Sequence, residues 1–332
     1  MKKRTINSVI CKKVDSWIES IQDPEVKNLV KENIIVTGGC IASMFLGEKV
    51  NDFDIYFRNR QTTEAVVKYY LEKFNELRVH NSQVPVPIFY KIDPLPEAEH
   101  TSDQKERIRI YVKSAGVASE NDSEVKYRYF EQEVSSENAE RYVQGVMGLG
   151  ENIDIIEEEE SSAQEVPTEE KFDYRPVFLS SNAITLSGKI QIIVRFYGSP
   201  ENIHSNYDFV HCTGYWTSWE RKVQISAAAL EALITRELIY VGSRYPVCSL
   251  FRIRKFVKRG WSVTAAQMLK AILQVSELDL KDVEVLEDQL TGVDVAYFTE
   301  LLNKLKDRKD ENGNPITEIP TSYLLEILNR LY

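Results

Sequence analysis

Nothing in the 332 residues approaches an uninterrupted apolar run of the roughly 20 residues that a bilayer-spanning helix needs. The opening segment, MKKRTINSVICKK, also lacks the apolar core of a signal peptide. Both absences point to a soluble protein of the cytoplasm, with no membrane partner. Cysteine is scarce and scattered: Cys11, Cys40, Cys212 and Cys248 form no C-x-x-C pair, and the four histidines add no ligand spacing. That pattern argues for free, partly buried thiols over zinc or disulfides. Basic charge is in deficit too, with a net charge of −10, which on its face disfavours a nucleic-acid partner. The deficit is local, however. Residues 150–170 hold nine acidic side chains and no basic one, leaving the rest of the chain near neutrality. Between Arg244 and Arg259 the reverse holds, with six cations and no carboxylate.

The segment Ile34 to Phe57, IIVTGGCIASMFLGEKVNDFDIYF, concentrates the chemistry. Ile34–Val36 reads as a buried strand that ends in Gly38-Gly39, a turn where backbone can approach a ligand closely. Asn51–Phe57 reads as a second strand. Alternation places Asp52, Asp54 and Tyr56 on one face and Phe53, Ile55 and Phe57 toward the core. Two carboxylates about 7 Å apart along a strand can share a pair of Mg²⁺ ions.

This unit resembles the head of the nucleotidyltransferase superfamily, which carries Gly-Gly or Gly-Ser after a first strand and Asp-x-Asp or Asp-x-Glu on the next. The spacing is most similar to that of tRNA nucleotidyltransferases and bacterial poly(A) polymerases, with Gly38, Gly39, Leu46, Gly47, Asp52 and Asp54 at the matching positions. Ala42-Ser43 stands where that family usually has Arg-Asp. The wording of SSNAITL and NYDFVH is also similar to nucleotidyltransferase-fold proteins of large bacteriophages. The resemblance implies an α+β protein: a mixed-sheet head over 1–217, interrupted by an acidic loop near 150–172, then a mainly helical domain over 218–332.

Along the chain, residues 8–32 suit an amphipathic helix broken near Asp23-Pro24, and Thr62–Glu76 a second. Val86–Ile92 and Arg107–Val112 carry strand signals that fit the mixed sheet. Tyr127–Val146 reads as a strand and a short helix, and the acidic run after it as a solvated insertion, with mimicry of nucleic acid the minority reading. The sheet resumes with Pro176–Leu186 and Lys189–Phe196, and YDFVHCTGY, Tyr207–Tyr215, reads as a further strand. From Ser218 the pattern is helical almost to the end. On a helix, Arg252, Lys255 and Arg259 share one face; such a face is either simply solvated or a phosphate contact.

What the resemblance implies chemically is two-metal phosphoryl transfer. Asp52 and Asp54 hold Mg²⁺ or Mn²⁺, and Asp208, on its expected strand, is a third carboxylate; an Asp capping a strand end is the other reading of Asp208. Backbone N–H groups around Gly38 and Gly39, with the Ser43 hydroxyl, cradle the phosphates of an NTP. Arg252, Lys255 and Arg259 face the phosphates of an acceptor. The acceptor expected first is an RNA 3′ hydroxyl, as on a tRNA, in the host cytoplasm if the chain is phage-encoded. Nucleotidylation of a small molecule or a protein is the second expectation, kept open by the missing Arg-Asp pair. The third is an inactive fold member serving as a phage binding or assembly protein.

Overall fold

The first helix, α1 (Lys3–Ser20), forms because Ile6, Ile10, Val14, Trp17 and Ile18 recur at three- and four-residue spacing and are all buried. It ends where expected: Asp23 caps α2 (Pro24–Asn33) by accepting from the Glu25 and Val26 amides, with Pro24 in its first turn. The computed structural model describes residues 1–80, 87–112 and 174–282, together with 285, 286 and 289. The expectations for Tyr127–Val146, the acidic run at 150–172 and the last helix fall outside the described residues.

The chain divides into two units. Among the described residues, the first takes the chain up to Ser205 together with His211–Leu233, and the second takes Asn206–Val210 with the chain from Ile234. The first unit follows α2 with β1 (Ile34–Thr37), α3 (Gly39–Leu46), β2 (Phe53–Phe57) and α4 (Arg60–His80). After it come β3 (Ile88–Pro94), β4 (Glu106–Val112), β5 (Pro176–Leu179), β6 (Ala183–Leu186), β7 (Ile190–Tyr197), a short helix α5 (Pro200–His204), β8 (Tyr215–Thr217) and β9 (Val223–Gln224). Seven strands make one sheet in the order β5-β6-β7-β2-β1-β8-β9. Among the described strands of this sheet, only β2 and β7 pair in parallel, so the sheet is mixed and the class is α+β, as expected.

Register sorts the side chains of this sheet onto two faces, because directly opposed residues project the same way. Ile34, Val36, Phe53, Ile55, Phe57, Ile190, Ile192 and Trp216 share the face that packs with α1–α4 into one core. Within it, Trp17 donates to the Tyr70 hydroxyl at 2.8 Å, which satisfies a buried indole N–H. The opposite face carries a transverse row of polar and aromatic side chains. Thr185, Gln191, Asp54, Thr37, Tyr215 and Gln224 are successive register partners across six strands.

Four expectations are corrected here. β3 and β4 do not join the mixed sheet; they pair with each other over seven positions and meet the larger sheet through the Ile110 amide, which donates to Ser181 O at 3.1 Å. Pro176–Leu186 is a hairpin and not one strand, since the Ser180 hydroxyl accepts from the Ala183 amide and closes a turn. Tyr207–Tyr215 is not a strand: Phe209 makes a single bridge to Tyr240, Val210–Cys212 is a 3₁₀ turn, and strand geometry begins only at Tyr215. The backbone of 208–210 is committed to residues 239–241, with Val210 N donating to Ile239 O and Val241 N to Asp208 O. Finally, β9 interrupts the helical stretch expected from Ser218.

Among the described residues, the second unit is mainly helical. α6 (Ala227–Thr235) spans the boundary; α7 (Pro246–Lys258) and α8 (Ala265–Ser276) follow within the unit. Phe209, Tyr240, Phe256 and Trp261 make a chain of edge-to-face contacts in its interior.

Candidate active site

Strand β1 delivers the chain to Gly38 at φ 90° and ψ −151°, a conformation that side-chain-bearing residues rarely adopt. Helix α3 starts at the next residue, so the amide N–H groups of its first turn lack intrahelical acceptors and carry the positive end of the helix dipole. A Cβ added at Gly39 would meet nothing within 4 Å, so the turn faces open space. Gly47, the third glycine of the motif, closes the helix in the left-handed region at φ 74°.

β2 pairs with β1 so that Asp54 lies opposite Thr37, one residue before the glycine turn. Asp52 directly precedes the strand. The thiol of Cys40, the second residue of α3, registers both carboxylates: burial pushes its pKa well up, and the charges of Asp54 and Asp52 push it further. The carboxylates therefore lie beside the helix start. Their charge is favoured there by the helix dipole.

Gln191 completes the group. It is the register partner of Asp54 on the parallel strand β7; carboxylate oxygens only accept, so the amide is oriented with its nitrogen toward them, and it then donates to Asp54 Oδ1 at 3.1 Å and to Asp52 Oδ2 at 3.3 Å. One side chain thus draws the two like charges together. Among the described residues, no three His, Cys, Asp or Glu side chains are grouped to hold a metal ion. The donors that do converge are two carboxylates, the hard oxygen donors that Mg²⁺ and Mn²⁺ take. The residues fit the ion.

The other expected site residues are placed differently. Asp208 belongs to the second unit, and its carboxylate accepts from Arg252 Nη1 at 2.6 Å within that unit. Ser43 sits in the second turn of α3 and is buried, so it is not among the first-turn groups. Arg259 lies beyond α7 as its C-cap, with its guanidinium over the Phe256 ring at 5.7 Å. Of the three expected phosphate-facing cations, Lys255 is the exposed one within the helix.

Two residues absent from the sequence reading support the turn. Thr37 Oγ1 donates to Gly214 O at 2.8 Å and lies 2.8 Å from His204 Nε2. A hydroxyl has one proton, so Thr37 accepts from His204, and the imidazole is the Nε2–H tautomer. Burial lowers the His204 pKa to about 4, against an opposing pull from Glu201. The sign follows from linkage: the unfolded chain binds a proton below pH ~6.5 that the folded chain refuses until pH ~4, so stability is full above this window and lost as pH falls through it. The loss is at most about 3 kcal/mol. His204→Gln is expected to flatten the dependence of stability on pH between 7 and 5, read by urea unfolding; an unchanged slope would assign the titration to another group.

A family described as Gabija anti-defense 2 family protein matches residues 8–236, a span that holds the whole carboxylate site and stops before α7. "Gabija anti-defense 2" of Bacillus phage SPbetaL7 is 24% identical over 128 residues, covering 38% of this chain and 31% of that protein. The chain thus aligns with under a third of this relative's length. Among solved structures, the Bacillus stearothermophilus CCA-adding enzyme in complex with CTP aligns with a TM-score of 0.36 and 13% identity, over 87% of this chain and 51% of that one. The Thermotoga maritima CCA-adding enzyme complexed with tRNA aligns with a TM-score of 0.33 and 11% identity, over 88% and 54%. At such scores the likeness assigns neither substrate nor partner. The family match covers well over half of the residues, and the chain belongs to the Gabija anti-defense 2 family.

Proposed function

We propose that this protein is a metal-dependent nucleotidyltransferase, moving a nucleoside monophosphate from an NTP to an acceptor hydroxyl, and that this transfer underlies the anti-defence role its family is named for. The observation that supports this most is the meeting of Asp52 and Asp54 with the open glycine turn at the start of α3. Asp52 and Asp54 would hold Mg²⁺ or Mn²⁺, which when bound neutralises charge on the triphosphate. Gly38 and Gly39 present first-turn N–H groups to phosphate oxygens. The acceptor oxygen bonds to the α-phosphorus as the bond to the bridging oxygen breaks. That electron pair leaves with pyrophosphate, and the hydroxyl proton passes through a carboxylate oxygen to solvent. No covalent enzyme intermediate is needed, and positioning carries the rate. Asp208 is not assigned a part in this chemistry, since its carboxylate serves Arg252.

The acceptor favoured is an RNA 3′ hydroxyl, and the exposed Lys255 and Lys258 of α7 are candidate contacts for RNA phosphates on the second unit itself. Incubating the protein with each labelled NTP, Mg²⁺ or Mn²⁺, and host RNA and protein tests both statements. Label in RNA supports the RNA acceptor, label in protein supports protein nucleotidylation, and no label in any fraction refutes transfer. Arg252 separates structure from binding on the same helix. Arg252→Ala leaves a nearly buried carboxylate without its ion-pair partner and is expected to cost about 1–3 kcal/mol of stability, less than the roughly 3–5 kcal/mol of a fully buried pair because Arg252 is partly exposed. Lys255→Ala with Lys258→Ala is expected to leave the melting temperature unchanged while flattening the log–log salt dependence of RNA binding by about 0.7 per lost contact. An unaltered slope would remove this helix from the RNA interface.

A further inference from the structure

A second feature of the first unit lies along the same sheet face. At the β8–β9 edge, where the start of α1 meets the sheet, a cavity of about 830 Å³ is lined by Lys3, Arg4, Lys222, Tyr215, His204 and Gln224 among others. Three of these are cations, and among the described residues no carboxylate is part of the lining. Among the described residues, Lys3, Arg4 and Lys222 make no ion pair. Lys3 and Arg4 occupy the first turn of α1, which has neither an acidic residue nor a side-chain cap. Cations at the positive end of a helix are the reverse of the stabilising arrangement. An anion seated in the cavity relieves both the dipole conflict and the mutual repulsion.

The other wall differs in chemistry. Tyr215 and His204 place their rings 5.6 Å apart at an interplanar angle of 58°. His204 is neutral at pH 7, so it offers no charge to a phosphate; with Nε2–H committed to Thr37, its Nδ1 is an acceptor. Gln224 accepts from the Tyr215 hydroxyl at 2.9 Å and donates to Glu220; the charges of Glu201 and Glu220 both reach Tyr215 and, behind burial, raise its pKa, but neither carboxylate is part of the described lining. A cationic side for phosphate and an uncharged aromatic side for a flat, hydrogen-bonding ring together describe a nucleotide.

Its position relates it to the carboxylates. Tyr215 is the register partner of Thr37, and Thr37 that of Asp54, so Tyr215 and Asp54 project from the same face two strands apart, about 10 Å. Thr37 also bonds His204, so one threonine joins the cavity wall to the glycine turn. We propose that this cavity is the acceptor subsite. It takes a phosphorylated nucleoside, with the base on Tyr215 and His204, the phosphate on Lys3, Arg4 and Lys222, and a ribose hydroxyl directed along the polar row toward Asp52 and Asp54. This rests on the nucleotidyltransferase reading. The ligand chemistry is shared by a free nucleotide and by the terminal nucleotide of an RNA.

The test uses the full chain in EDTA, where metal-dependent NTP binding is suppressed, and measures binding of AMP, UMP and a short single-stranded oligoribonucleotide by tyrosine and tryptophan fluorescence. At least one ligand is expected to bind, and Arg4→Glu with Lys222→Glu to weaken it tenfold or more while the melting temperature stays level or rises slightly, since both residues are exposed and glutamate at position 4 suits the helix dipole. Tyr215→Leu should weaken it while leaving the salt dependence intact. Tighter binding of the oligoribonucleotide, lost on 3′ phosphorylation, identifies an RNA end; equal binding of the mononucleotides identifies a free nucleotide. No binding of any of the three, or equal binding by wild type and both variants, overturns the proposal. A transfer assay keeps the two readings apart. If nucleotides bind the cavity but no NTP is ever consumed with metal present, the enzymatic reading fails and the cavity stands. If transfer proceeds with the acceptor KM unchanged in Arg4→Glu with Lys222→Glu, or is directed to protein, the cavity assignment fails.

Discussion

Asp52→Asn together with Asp54→Asn is expected to lower nucleotidyl transfer by about 10³-fold or more, equivalent to about 4 kcal/mol of transition-state stabilisation, while the protein stays folded. The reason for the split is local. Asp52 is exposed and Asp54 half-buried, neither belongs to the hydrophobic cluster beneath the sheet, and asparagine keeps an oxygen for the Gln191 amide to find. Removing two like charges that face one another also removes a small repulsion. The melting temperature without metal should therefore stay level or rise slightly. Metal supplies the second readout. In the wild type, Mn²⁺ at about 100 times its dissociation constant should stabilise the fold by about 2.7 kcal/mol, and in the double variant that gain should vanish. A collapse of the melting temperature by tens of degrees would make the two aspartates structural. Full transfer activity in the folded double variant would remove them from the chemistry.

The legible parts of this protein are those whose causes are close in sequence. β1, the glycine turn, α3 and β2 follow one another without a break, and each carries its own signal: a β-branched run, a positive-φ glycine, and apolar alternation around Asp54. The break between α1 and α2 was equally plain, because Asp23 and Pro24 act on their immediate neighbours. Where pairing is distant, reading failed. YDFVHCTGY has the composition of a strand, but the backbone at 208–210 bonds to 239–241, and nothing within the segment marks that competition. The same distance hid Gln191. It interrupts the apolar run IQIIV as a lone polar residue on a buried strand, which was the available signal, yet only the register of β7 on β2 sets it against Asp54. The cavity was hidden further still, since Lys3, Arg4 and Lys222 come from opposite ends of the unit and none stands in a motif. Arg252 was read as a surface cation because its helical face could be drawn, whereas its partner Asp208 could not.

Gln191→Glu is the sharpest probe of how the carboxylate pair is balanced. In the wild type the amide donates to both aspartates and so offsets their repulsion at no cost in net charge. Glutamate at this register position replaces that donor with a third carboxylate, converting attraction to repulsion on one face of neighbouring strands. In EDTA the variant is expected to be less stable by about 1–2 kcal/mol, a lost charge-assisted hydrogen bond plus a like-charge contact. With Mn²⁺ the gap should close, because a third anionic oxygen raises the affinity of the site for a hard divalent ion. An affinity gain of about tenfold, 1.4 kcal/mol, would offset most or all of that loss. Gln191→Leu separates the two roles: it loses the donor without adding charge, so it should be destabilised in EDTA and gain no affinity for metal. Thermal unfolding across a Mn²⁺ titration reads all three proteins. If Gln191→Glu is as stable as the wild type in EDTA, the amide does not hold the pair. If instead it is destabilised and Mn²⁺ fails to restore it, position 191 faces the aspartates but lies outside the reach of any ion they hold.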